Sequence, residues 1–128
     1  KYIEPARPGP AEVARTYLDN LGKTQSDRTL GLCVSPDTQV VGISKGAGSD
    51  IIWRRTAKEL VESEKRERQV LQTVEATHVK MVDETLAIVE VEFRNQFIKG
   101  RAVYTLTKEG GKWQIASLVM QTRLASDR

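Results

Sequence analysis

The sequence predicts an α+β fold in which helices come first and an antiparallel sheet follows. Two patterns indicate this fold: apolar residues recur with a helical period in the first half of the chain, and from about residue 70 onward they alternate with a period of two. Turn residues divide the alternating half into separate strands. Because the helices precede the strands instead of alternating with them, we expect them to cover only one face of the sheet.

Each element of the first half has its own signal. Apolar residues form one helical stripe up to Gly22, which is expected to end the first helix. Ser26 is expected to cap a short second helix, β-branched residues then indicate a strand, and a glycine-rich loop separates this strand from a charged amphipathic helix. The predicted bounds are 11–21, 26–34 and 53–68 for the helices, 38–44 for the strand and 45–50 for the loop.

The second half is expected to contain four strands, at about 70–82, 85–96, 97–107 and 112–123. Asp83 and Glu84 supply the first clear turn, and the segment 109–112 supplies the last. The last strand is apolar on both faces, which is typical of a central strand covered on both sides. Strict alternation along it opposes Trp113, Ile115 and Val119 to Ala116, Leu118 and Met120.

Composition indicates an ordinary globular protein and excludes several kinds of site. The 128 residues suffice for a domain with its own core, which we expect to span residues 11–124. A single cysteine, Cys33, and a single histidine, His78, exclude an intramolecular disulfide and any site built from several thiolates or imidazoles. We therefore expect no metal and no cofactor. A formal net charge of +3 without a concentrated basic face argues against a nucleic-acid partner, and no apolar run is long enough to insert into a membrane.

The two ends of the chain are expected to lie outside this domain. Residues 1–10 contain three prolines and a glycine, a composition typical of an extended leader or tether, and residues 125–128 form a short tail. Because the chain begins at Lys1, we expect that a segment has been removed upstream. An exported or periplasmic location and a cytoplasmic one both stay open.

The end of the sequence resembles the nuclear transport factor two-like superfamily, particularly its bacterial polyketide cyclase-like and lumazine-binding-like branches. The segment 104–107, Tyr-Thr-Leu-Thr, followed by 110–115, Gly-Gly-Lys-Trp-Gln-Ile, is similar to the glycine turn and Trp-x-Ile strand with which that superfamily typically closes. The resemblance covers most of residues 10–124. It implies a cystatin-like α+β roll: a strongly curved antiparallel sheet wrapped as a cone around N-terminal helices, with a pocket between them and frequent homodimers through the sheet. It implies no particular reaction.

The pocket that this resemblance implies would be mainly apolar and lined by aromatic side chains. Tyr17 and Trp53 lie on predicted helix faces that could border it, and Tyr104 could do so from the sheet. These three are the predicted ligand-binding residues, for a small organic ligand. In such positions, however, aromatic side chains more often belong to the core than to the wall of a ligand pocket.

His78 is the candidate catalytic residue, because enzymes of this fold class usually rely on an inward acid or base whose pKa lies near neutral pH. Its direction depends on whether a β-bulge near Ala76 and Thr77 shifts the strand register. No carboxylate is expected to pair with it, since Glu90 and Glu92 face outward.

The face of the sheet that the helices leave uncovered is expected to be the interface of a homodimer. A self-complementary apolar patch is the usual basis of a two-fold dimer. The residues assigned to that interface are Leu86, Ile88, Val103, Leu118 and Met120.

Three functions are compatible with these observations. The preferred hypothesis is a non-catalytic, homodimeric module that binds a small molecule or serves assembly. The second is a cofactor-independent isomerase, dehydratase or cyclase, which requires His78 to face the pocket. The third is an interaction domain of an exported assembly, in which the proline-rich leader is a tether and an open groove is the main concave feature.

Overall fold

Helices and strands follow one another in the order αα-ββ-α-ββββ along the part of the chain that the computed structural model describes, residues 7–21, 26–46, 48–66 and 72–125. The elements are α1 (Pro10–Leu21), α2 (Ser26–Leu30), β1 (Gln39–Ser44), β2 (Ile51–Thr56), α3 (Ala57–Arg66), β3 (Thr73–Met81), β4 (Leu86–Arg94), β5 (Ile98–Glu109) and β6 (Lys112–Leu124). Within these ranges no helix is long and apolar enough to cross a membrane.

The strands form one open sheet in the order β2-β1-β6-β5-β4-β3. Every neighbouring pair is antiparallel except β1 and β6, which run parallel. The C-terminal strand β6 therefore lies near the middle of the sheet, as its apolar faces predict, and it joins the β1–β2 hairpin to the β3–β4–β5 meander. The α+β class predicted from the sequence is confirmed.

The core lies between the helices and one face of the sheet, which we call the inner face. From α1 it receives the predicted stripe, Val13, Ala14, Tyr17, Leu18 and Leu21, and from α3 it receives Ala57, Leu60 and Val61. The sheet contributes alternate residues of its strands, among them Ala87, Val89, Val91 and Phe93 of β4 and Ala102, Tyr104 and Leu106 of β5. Burial of these side chains, about 25 cal/mol for each Å² of apolar surface, is the main force that holds the helices on the sheet.

The start of the third helix was predicted wrongly. Residues 51–56 form β2, although 53–56 were assigned to the first turn of a helix and 51–52 to no element, and α3 begins only at Ala57. The boundary is a capping box: the Glu59 amide donates to Thr56 Oγ1 at 3.1 Å, and the Thr56 amide donates to Glu59 Oε1 at 3.0 Å. This Thr-x-x-Glu spacing is visible in the sequence, and together with the β-branched pair Ile51 and Ile52 it identifies both elements.

The second helix ends earlier than predicted. It stops at Leu30, and the chain beyond it pairs with the sheet, where Cys33 forms a parallel bridge with Ile115. The amide of Val34 donates to the carbonyl of Ile115, and the amide of Ile115 donates to that of Leu32. These bonds require extended backbone, which a helix through Val34 could not supply.

Two β-bulges decide which side chains face the core. One lies at Glu75, between the pairs that Val74 and Ala76 make with β4, and the other lies at Ala116 in β6. A bulge inserts one unpaired residue, so every side chain beyond it changes face relative to strict alternation. Strict alternation along β6 is therefore wrong beyond Ala116.

A glycine on the inner face accommodates an aromatic ring from the adjacent strand at two places. The Phe93 ring lies over Gly100, and the Trp53 ring lies over Gly42, so closely that a Cβ atom at either glycine would overlap the ring. Both pairs are direct cross-strand neighbours. At the β5–β6 turn, Gly110 and Gly111 have φ angles of 58° and 77°, the left-handed conformation that favours glycine.

The remaining predicted elements agree with the structure to within a few residues. Several sequence predictions lie outside the described residues: the stop of α1 at Gly22, the continuation of α3 to Arg68, residues 70 and 71 of the predicted strand, and most of the leader and tail.

Candidate functional site

The outer face of the sheet, opposite the helices, carries an exposed apolar patch on its central strands. Val41, Val119 and Val103 are consecutive cross-strand partners on β1, β6 and β5. Around them lie Ile88 on β4 and the paired residues Ile43 and Ile52 on β1 and β2. We call these six residues the outer apolar patch. Val119 is 40% exposed, Val103 and Ile88 are each 36% exposed and Ile52 is 55% exposed.

The predicted dimer residues are only partly brought together on this face. Leu86, Ile88 and Val103 lie there as expected. The placement of Leu118 and Met120 on the outer face is wrong, because the bulge at Ala116 turns both toward the helices: Leu118 is buried in the core, and Met120 packs against it. Val119 takes their place on the outer face, and whether the patch forms a dimer stays a prediction.

His78 faces outward, away from the core. The bulge at Glu75 puts it opposite Glu90 of β4, and its side chain is 64% exposed. The expectation that no carboxylate pairs with it is wrong, since His78 Nε2 lies 3.4 Å from Glu92 Oε2. The structure thus separates the candidate catalytic residue from Tyr17 and Tyr104, which lie on the other side of the sheet.

Arg101 sits between two carboxylates in the same charged cluster. Its Nε lies 2.8 Å from Glu90 Oε1 and its Nη2 lies 3.1 Å from Glu92 Oε1. The His78 and Arg101 hydrogen bonds lower the pKa of Glu92 below its usual value. The cluster borders the outer apolar patch, and Arg101 compensates part of the charge of its two carboxylates.

Tyr17 and Tyr104, two of the predicted ligand-binding residues, meet in the core. Both are fully buried, and their rings make an edge-to-face contact with centroids 6.0 Å apart. Burial raises the pKa of Tyr104 well above its usual value, and the nearby Tyr17 and Cys33 raise it further. Among the described residues, the Tyr104 hydroxyl has no hydrogen-bond partner.

Cys33 is a further polar group close to Tyr104. It is buried, and burial raises the pKa of its thiol to about 12. A thiol of this kind stays protonated at neutral pH and is a poor nucleophile. Cys33 therefore packs as a small buried hydrophobic residue.

Trp53, the third predicted ligand-binding residue, lies apart from the two tyrosines. It is a half-buried residue of β2 and not of a helix, and its ring packs between Gly42 and the guanidinium of Arg55, whose Cζ lies 5.2 Å from the ring centroid. Arg55 Nη1 in turn donates to Ser63 Oγ of α3 at 2.9 Å. These contacts give Trp53 a structural role where β2 meets α3. A role in ligand binding stays a prediction.

Two concave regions are lined by described residues. One, of about 420 Å³, crosses β3, β4, β5 and β6 near one end of the sheet and is lined mainly by charged side chains. The other, of about 670 Å³, lies beside the first turn of α3. The first region could not be predicted from the sequence, because its residues come from strands that are distant in sequence and only the register brings them side by side.

Comparison with known proteins identifies the fold. No family model matches this sequence, and no curated protein matches it. Among solved structures, an NTF2-like protein of unknown function from Shewanella baltica is 16% identical and covers 87% of this chain and 88% of its own, with a TM-score of 0.70. A cystatin-like fold protein from Burkholderia xenovorans is 17% identical over 91% of this chain and 88% of its own, with a TM-score of 0.62.

Two further neighbours have names that describe a role. A candidate scytalone dehydratase from Novosphingobium aromaticivorans is 18% identical over 86% of this chain and 78% of its own, with a TM-score of 0.64. A candidate calcium/calmodulin dependent protein kinase II association domain from Xanthomonas campestris is 16% identical over 100% of this chain and 96% of its own, with a TM-score of 0.58.

These likenesses define a cystatin-like α+β roll, a curved open sheet with helices on one face. More particularly, the fold is similar to that of solved proteins described as NTF2-like, in agreement with the fold that the closing glycine turn and Trp-x-Ile strand implied. The two named roles differ from each other, so the fold alone selects neither.

Proposed function

We propose that this protein is a homodimeric assembly module that associates through the outer face of its sheet. The observation that carries the proposal is the outer apolar patch. Its valines are in direct cross-strand contact, several of its side chains are at least one-third exposed, and the described helices all pack on the opposite face. A contiguous apolar surface of this kind is typical of a protein interface.

The charged cluster beside the patch favours a second copy of this chain as the occupant. Two copies of one surface bring like charges together, and this repulsion is smaller where neighbouring opposite charges offset them. Here Arg101 contacts both Glu90 and Glu92, and His78 lies next to Glu92. This compensation reduces the repulsion between the borders of two copies that pack around a two-fold axis.

The direction of His78 supports assembly over acid–base catalysis. A general base must reach a substrate that is held in the pocket. His78 instead lies on the face that the proposed dimer uses, while Cys33 and Tyr104, which are buried in the core, have pKa values raised far from neutral pH. The association domain among the structural neighbours is a precedent for an assembly role on this fold.

The second part of the proposal is that a small organic ligand binds inside the roll. The supporting observation is the buried Tyr104 hydroxyl, which could donate a hydrogen bond to a ligand acceptor. Membership of the polyketide cyclase-like or lumazine-binding-like branch is part of this proposal as well.

Native mass spectrometry combined with sedimentation velocity tests the proposal on three proteins. The wild type is compared with Val103→Lys and with Val34→Lys, a control at an exposed valine outside the patch. Val103 pairs with Glu90, so a lysine there is compatible with the monomer but would carry a charge into the interface. We expect a wild-type dimer, a dimeric Val34→Lys variant and a folded, monomeric Val103→Lys variant.

The possible results separate the two parts of the proposal. A monomeric wild type at micromolar concentration, or a Val103→Lys variant that dimerises as tightly as wild type, would overturn the proposed interface. An additional mass of a few hundred daltons that is retained by the dimer and lost in Tyr104→Phe would identify a ligand at the interior hydroxyl.

A further inference from the structure

A second feature of the outer face is a row of three basic side chains near the end of the sheet where β4 meets β5. Arg94 of β4 is the cross-strand partner of Lys99 of β5, and Lys99 is the partner of Arg123 of β6. Like charges directly opposite each other destabilise a sheet. We call Arg94, Lys99 and Arg123 the basic row.

The charges of the basic row are only partly compensated within the protein. Arg94 has an ion pair with Glu75 at 3.7 Å. Among the described residues, neither Lys99 nor Arg123 forms an ion pair with a carboxylate. The acids nearby are already engaged, since Glu92 lies between Arg101 and His78 and Asp50 pairs with Lys45 at 2.8 Å.

Both uncompensated cations line the concave region of about 420 Å³. Its charged lining consists of four cations and two acids: Lys45, Lys99, Arg101, Arg123, Glu75 and Glu92. The side-chain amide of Gln121 adds a neutral donor in the same lining. This volume falls in the range of roughly 300–1,000 Å³ that is typical of small-molecule sites.

We propose that this groove binds a small organic anion that carries at least two phosphate or carboxylate charges. An arginine guanidinium presents paired N–H donors that match two oxygens of such a group, and a lysine adds a point charge beside it. The ligand supplies the negative charge that the row lacks. Glu75 and Glu92 would repel the continuous backbone of a nucleic acid, so the groove suits a compact anion.

This site does not depend on the proposed dimer. Lys99 and Arg123 each lie four residues along their strands from Val103 and Val119, which is about 13 Å from the centre of the outer apolar patch. At that distance they belong to the rim of an interface, where charged groups stay accessible to solvent.

Isothermal titration calorimetry with pyrophosphate and with citrate tests the proposal, in buffer of low ionic strength. The double variant Lys99→Gln/Arg123→Gln is compared with Lys80→Gln/Arg15→Gln, which removes the same net charge at exposed positions outside the groove. We expect saturable binding to wild type and to the control, with a Kd that rises with salt. Loss of two charge-assisted hydrogen bonds should raise the Kd of the Lys99→Gln/Arg123→Gln variant by about tenfold or more.

The two probes distinguish the source of the charge, because tighter binding of pyrophosphate indicates a phosphate ligand and tighter binding of citrate a carboxylate. The site would be overturned by a wild type that binds neither probe saturably, or by equal weakening in both double variants, which would indicate net charge alone. Sedimentation velocity on the same samples shows whether the dimer persists. If the Lys99→Gln/Arg123→Gln variant loses both anion binding and the dimer, the proposal of an anion site that is independent of the dimer is overturned.

Discussion

Replacing Gly100 by alanine tests how tightly the inner face of the sheet is packed. A Cβ atom at this position would lie 2.3 Å from Phe93 Cζ and within 2.8 Å of both Cε atoms of that ring. Since non-bonded carbon atoms normally stay about 3.5 Å apart or more, the ring or the strand must move by about 1.2 Å. Phe93 is only 1% exposed, so its surroundings leave it little room.

We expect Gly100→Ala to lower the free energy of unfolding by about 1–2 kcal/mol. Overpacking a core typically costs about 1–3 kcal/mol. Part of this is offset, because removing a glycine from the unfolded chain stabilises the fold by about 0.4–1 kcal/mol. Urea denaturation followed by tryptophan fluorescence measures the change, since Trp113 is itself in the core. Gly48→Ala is the control, because a Cβ atom there meets nothing within 4 Å.

A double-mutant cycle with Phe93→Leu separates a clash with the ring from a general intolerance of alanine at Gly100. Leucine lacks the ring atoms that the new Cβ would overlap, so Gly100→Ala should cost at least about 1 kcal/mol less in the Phe93→Leu background than in wild type. The same cost in both backgrounds, or a Gly100→Ala variant at least as stable as wild type, would refute this account of the packing.

Two other predictions concern polar groups. Tyr104→Phe removes a buried hydroxyl without a partner among the described residues, so stability should be unchanged or should rise by up to about 1 kcal/mol in urea denaturation; a loss of more than about 1 kcal/mol would show that the hydroxyl is hydrogen-bonded. Hydrogen bonds from the Thr85 amide and hydroxyl hold the pKa of Asp83 below its usual value. Asp83 therefore stabilises the fold above its unfolded-state pKa, and this stabilisation is lost as the pH falls through its lower folded-state pKa. Wild type should be more stable than Asp83→Asn at about pH 6, and the difference should disappear near about pH 2. A difference independent of pH would contradict the assignment.

The sequence was sufficient to predict the elements whose signal is local. The stripe of α1, the alternation of β4 and β5 and the glycine pair of the last turn all depend on periods or φ angles that neighbouring residues set by themselves. The capping box at Thr56 was also visible, and it would have corrected the boundary between β2 and α3.

The features that could not be predicted depend on pairing between distant strands. A bulge at Ala116 leaves no distinct mark in a segment that is apolar on both faces, so Leu118 and Met120 were assigned to the wrong side. The basic row was invisible for a related reason, because its three residues become neighbours only once the register of β4, β5 and β6 is known.

The position of β6 also determines when the protein can finish folding during synthesis. The chain leaves the ribosome N-terminus first, so the β1–β2 hairpin and the β3–β4–β5 meander are complete before the 13 residues of β6 are made. Until β6 enters between them, β1 and β5 both present unpaired strand edges, which are templates for aggregation. A chain that terminates before Lys112 would therefore lose the joint between its two halves as well as a strand, and the cell would have to remove or shield it.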